Sequence, residues 1–66
     1  MIQSILFDKK KWTIPTAIEW LKTHGYKYYK VDETKEHYRF RQFDPIKGRK
    51  YRTLPIGAGI EFIDMF

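Results

Sequence analysis

The stretch HYRFRQF, His37 to Phe43, constrains this chain more than any other. Tyr38, Phe40 and Gln42 fall on one side and Arg39, Arg41 and Phe43 on the other, the period of two of a strand with one buried and one wet face. The pattern asks for a sheet covered on one side. Its open side would then carry two arginines about 7 Å apart, the rise of two residues.

The cover is predicted upstream. Thr13 can cap a helix that begins at Ile14, where Pro15 is tolerated because first-turn amides lack intrahelical partners. Thr16 followed by Glu19 offers a competing capping box, which would leave barely two turns. With the earlier start, Ile14, Ala17, Ile18 and Leu21 form one apolar stripe with Trp20 and His24 at its edge. Gly25 supplies the left-handed residue that commonly ends a helix.

Ile2 to Phe7 reads as a first strand, with Ile5 and Phe7 on one face and Ile2, Ser4 and Leu6 on the other. Apolar groups on both sides imply a place beside the helix and next to other strands. Asp8 to Lys11 is a polar connection. Tyr26 to Val31 alternates again and should pair with His37 to Phe43 as an antiparallel hairpin around Asp32 to Glu36. Asp44-Pro45 stops that second arm. Tyr51 to Leu54 is another short strand, ended by Pro55, which makes residues 44 to 50 a basic hairpin loop. Ile60, Phe62 and Phe66 could line a final strand or a short helical turn. The expected fold class is α+β, a single compact domain over residues 1–66, with one helix packed on a small, mostly antiparallel three- or four-stranded sheet.

A chain of 66 residues without cysteine has neither disulfides nor thiolate ligands to support a small core. Aromatic residues must do so: five Tyr, five Phe and two Trp. No apolar run approaches the roughly 20 residues that cross a bilayer, and no signal-peptide layout is present, so the expectation is a soluble cytoplasmic protein with no membrane partner. The net charge of +5 is spread along the chain. It suits a nucleic-acid partner and equally an ordinary solvated surface.

Catalytic chemistry finds little support. His24 and His37 belong to no metal-ligand motif, and Ser4 lies in no nucleophile elbow. Gly57-Ala58-Gly59 is too short for a phosphate loop, and no cofactor signature occurs. Two binding readings remain, weighed against a plain solvated face whose arginines pair with Asp32, Glu33 or Glu36. In the first, Arg39 and Arg41 contact phosphates of DNA or RNA. Arg49, Lys50 and Arg52 extend the track if their strand folds alongside, and Tyr29 or Phe43 offers a stacking surface. In the second, Trp12, Tyr28, Tyr29, Phe43, Phe62 and Phe66 form an interface for a protein partner or a second copy of the chain.

The segments SILFDKKKWT, AIEWLKTHGYK, KVDET and YRFRQF resemble a small family of uncharacterised domains encoded by bacteriophages and other DNA viruses, sometimes near genes for capsid maturation. The resemblance runs from about Ser4 to Gln42, with a continuation through Ile60 left open. It implies a viral or mobile-element origin, hence a host cytoplasm, and a DNA-related or virion-assembly role. It brings no catalytic or ligand-binding residue with it.

Overall fold

The strand with apolar residues on both faces becomes the centre of the sheet. In the computed structural model, which describes residues 1–66, β1 (Ile2–Asp8) is followed by α1 (Ile14–Thr23), β2 (Val31–Glu33), β3 (His37–Arg41), β4 (Tyr51–Gly57) and β5 (Ile60–Met65). The sheet has five strands in the order β2-β3-β1-β5-β4, and every pairing is antiparallel. The expectation of three or four strands is corrected upward, because the closing segment forms β5 against β1 and leaves β4 to pair outside it.

Helix α1 covers one face. Thr13 caps it: its hydroxyl accepts from the Thr16 N–H, and the Thr16 hydroxyl accepts from the Thr13 N–H at 2.9 Å. The earlier of the two helix starts is therefore the one used. At the other end, Tyr26 N–H donates to Leu21 O and Gly25 N–H to Lys22 O, the Schellman pair, with Gly25 at φ 77°. Ala17 and Leu21 enter a core with Ile5, Phe7, Phe40 and Ile60. The Phe7 ring meets Trp12, Trp20 and Phe40 edge-on, with centroids 5.2, 5.7 and 5.5 Å away. Such contacts add about 0.5–1.5 kcal/mol each beyond the area they bury.

A register shift in β1 interrupts the strict alternation: Ile2 pairs with Asp64 but Ser4 with Ile63, so Gln3 is the extra residue of a bulge. Paired residues share a face, so the shift moves Ile2 to the helix side, where it packs against the core. Ser4 stays on the open side. Ile2 therefore does not share a face with Ser4 and Leu6, as strict alternation would require.

The segment Tyr26–Lys30 is not a strand, contrary to the expected hairpin arm. A side chain takes the place of its ladder partner: Gln42, 6% exposed, accepts from Lys27 N–H and donates to Lys27 O, both at 2.8 Å. Regular pairing with β3 begins only at Val31.

Residues 44 to 50 do not close a hairpin either. Both edges of β3 are already taken, by β2 and β1, so the chain crosses the end of the sheet to its far side. Strand β4 also runs through Pro55. Lys50 and Phe66 exchange both backbone bonds, at 3.1 and 2.8 Å, which fixes the alternation that follows. Tyr51, Thr53 and Pro55 then turn their backbone groups away from β5, and Pro55 stands where its missing N–H costs no ladder bond. Ala58 (φ 56°) and Gly59 (φ 76°) make the tight turn into β5. A Cβ at Gly59 would meet Asp8 Cβ at 3.2 Å and the movable Lys11 Cδ at 2.9 Å, so space is tight where the positive φ already favours glycine.

The bidentate role of Gln42 is open to direct measurement. Gln42→Ala would leave the Lys27 N–H and C=O without their partner and should lower unfolding free energy by roughly 1–3 kcal/mol in urea denaturation. A change of less than about 0.5 kcal/mol would mean that this pairing carries no net stability.

Candidate functional site

The open face of the sheet is built by register. Leu6 pairs with Arg39 and Ser4 with Arg41, and on the other side Leu6 pairs with Glu61 and Ser4 with Ile63. Thr53 pairs with Ile63 and Asp32 with Arg39. All of these residues share the side opposite α1, so Arg39 and Arg41 stand together on the uncovered face.

Their surroundings differ. Arg39 donates from Nε to Ser4 Oγ at 3.1 Å and from Nη2 to Gln3 Oε1 at 3.0 Å. Ser4 Oγ in turn donates to Gln3 Oε1 at 2.6 Å, and Gln3 Nε2 donates to the Phe43 carbonyl at 2.8 Å. Gln3 and Ser4 are fully buried. The guanidinium is thus held by neutral acceptors, and Arg39 takes part in no ion pair. Its nearest like-faced acid on β5, Glu61, points elsewhere, to His37 Nε2 at 3.2 Å.

Arg41 is partnered by carboxylates. Its Nη2 lies 3.5 Å from Asp32 Oδ2 and its Nη1 3.7 Å from Asp44 Oδ1, while its buried Nε has no partner. Asp32 is among the acids expected to compete for an arginine; Asp44 is not. These separations exceed the 2.7–2.9 Å of a good charge-assisted hydrogen bond.

Two concavities flank these arginines. A groove of about 450 Å³ on the open face is lined by Gln3, Arg39, Pro45, Tyr51, Arg52, Thr53 and Ile63. A cleft of about 350 Å³ near the end of β3 is lined by Lys27, Tyr29, Lys30, Arg41, Gln42, Phe43 and Asp44. The hydrogen bond from Gln3 to Phe43 ties one to the other.

The later basic residues do not lie alongside β3, since β1 and β5 intervene. Arg52 borders the groove that holds Arg39 only through its place on β4: it pairs with Asp64 and neighbours Thr53, so its side chain lies on the other face, with Nε on Asp64 Oδ2 at 3.0 Å. Arg49 donates to the Phe66 carbonyl, and Lys50 is exposed without an ion pair. Of the aromatics, Trp12, Tyr28 and Phe62 pack against the core, whereas Tyr29, Phe43 and Phe66 are exposed. Trp12 also donates to the Ala58 carbonyl at 2.7 Å.

Gln3, Ser4, Lys27, Lys30 and Thr53 belong to none of the expected site residues. The one signal in the sequence is two adjacent polar residues, Gln3 and Ser4, inside an otherwise apolar strand. No family model matches the chain, and no curated protein or solved structure is similar to it.

Asp64, 8% exposed, ties β5 to the Met1 ammonium and to Arg52 on β4. Its carboxyl is held below the usual carboxylate range, first by the hydrogen bond from the Met1 ammonium at 2.9 Å. Burial pulls the other way, and Arg52 adds to the lowering. A carboxyl that is more acidic folded than unfolded contributes stability above its unfolded value, and that contribution is lost as pH falls through the folded one. Asp64→Asn should therefore lower the thermal midpoint at neutral pH, by a margin that shrinks below about pH 4. A margin independent of pH would contradict this role.

Proposed function

We propose that this domain binds nucleic acid through its phosphates, at the basic end of the uncovered sheet face. The observation that carries the reading is the Arg39 guanidinium: partly buried, fixed by Ser4 and Gln3, and without a carboxylate partner. Neutral acceptors satisfy its N–H groups without an ion pair, since Asp32, its register partner, turns its carboxylate to Arg41 instead. An anion in the adjoining groove would supply the missing charge. A fixed guanidinium also gives up little freedom on binding, which favours recognition of a phosphate oxygen.

The Thr53 side chain stands across the same groove, and Lys27, Lys30 and Arg41 line the neighbouring cleft. Successive phosphates along a chain could meet the two sites in turn. The opposite end of the face, with Asp8, His37 and Glu61, is unsuited to this, so the contact is confined to one half of the sheet. A viral or mobile-element setting, as the family resemblance implies, accords with such a role.

The alternative, a protein interface or virion-assembly adaptor, finds its support at β4, whose seven residues are all exposed and include Tyr51, Leu54 and Ile56. Pro55 works against strand addition there, because it offers no N–H to an incoming strand. No helix is long and apolar enough to cross a membrane.

Titration against a short oligonucleotide at several salt concentrations tests the proposal. Binding should weaken with salt. Arg39→Gln should lessen the slope of log K against log salt by about 0.7–0.9 for each phosphate that the variant no longer neutralises. Binding insensitive to salt and to that substitution would overturn the proposal and favour the protein interface.

A further inference from the structure

The cleft near the end of β3 combines cations with two exposed rings, where the groove around Arg39 has one, Tyr51. Tyr29 is 75% exposed and Phe43 is 45% exposed. Each ring has support nearby. Tyr28 lies beside Tyr29, with centroids 4.8 Å apart, and itself packs against the core. Lys27 Nζ sits 4.7 Å from the Phe43 centroid. Gln42 fixes the Lys27 backbone through its two hydrogen bonds, so the cleft joins two segments that are far apart in sequence.

Its charge is only loosely balanced. Asp44 is the one acid in the lining, facing Lys30 at 3.9 Å and Arg41 at 3.7 Å with 77% of its side chain exposed; from outside the lining Asp32 faces Arg41 at 3.5 Å, also too long for a strong charge-assisted bond. An incoming phosphate oxygen can make the short contacts that Asp44 does not.

We infer that this cleft takes an unpaired nucleobase against Tyr29 and Phe43, with its phosphate on Lys30 and Arg41, so that the ligand is a single strand. The inference rests on the phosphate-binding proposal above and adds the strandedness of the ligand. In a duplex the faces of internal bases are already stacked on one another, and a ring in this cleft could not reach them. A single strand presents every base face. Stacking of this kind tolerates any base, so discrimination should be between stranded forms and not between sequences.

Three probes of equal length separate the possibilities by fluorescence anisotropy: an oligothymidine, an abasic strand with the same phosphates, and a duplex. The chain should prefer oligothymidine to the abasic strand by about tenfold or more. Tyr29→Ala should abolish that preference with little effect on abasic binding, and Tyr29→Phe should restore it. Equal, salt-dependent affinity for oligothymidine and abasic strand would overturn the stacking inference and leave the phosphate reading standing. Preference for the duplex would also overturn it. Absence of salt-dependent binding to all three would remove the phosphate reading, and this inference with it.

Discussion

The contact between Arg39 and the Gln3-Ser4 pair is the interaction on which the functional account depends. A guanidinium partly withdrawn from water is usually matched by a carboxylate; this one is matched by a hydroxyl and an amide oxygen, at 3.1 and 3.0 Å. The geometry comes from the bulge in β1. The register shift at Gln3 leaves Ser4 on the open face, and the Gln3 amide bridges to the Phe43 carbonyl. The same amide that steadies Arg39 also steadies the chain leaving β3. Arg41, two residues on, shows the contrast: it shares the face, but Asp32 and Asp44 face it loosely, at 3.5 and 3.7 Å.

Around that contact the open face is divided. Leu6 separates Arg39 from Glu61 in the ladder, and the two side chains turn away from each other, one toward Gln3 and the other toward His37. The surface is therefore basic at one end and mixed at the other. The sheet edges are guarded by different means. β2 spans only three residues, and β4 has a proline at an outward-facing backbone position. Both devices limit pairing with other chains.

Local chemistry was legible in the sequence, and long-range pairing was not. Thr13 and Gly25 marked the helix ends because capping depends on neighbours within one turn. The alternation of His37 to Arg41 put both arginines on one face because side-chain direction follows from the backbone alone. Strand order has no such local signature. Nothing in Ile60 to Met65 announced that it would pair with β1 and push β4 to the edge. Tyr26 to Lys30 alternates as a strand should, yet the Gln42 amide supplies its hydrogen bonds. Pro55 reads as a strand end until the pairing of Lys50 with Phe66 shows which way its backbone faces. The site followed the same division: a shared face could be inferred, while the pairing of Arg41 with Asp44 and the isolation of Arg39 required the fold.

The most direct test is an NMR titration that follows the Arg39 side chain itself. Its Nε–H, held on Ser4 Oγ, should give a distinct resonance in the free protein. On addition of a short single-stranded oligonucleotide at low salt, that resonance and the backbone amide of Thr53 should shift together and saturably. If both stay in place while the signals of Lys9 to Lys11 move, the bound anion sits on the solvated loop, and the account of an unpaired cation awaiting a phosphate is wrong.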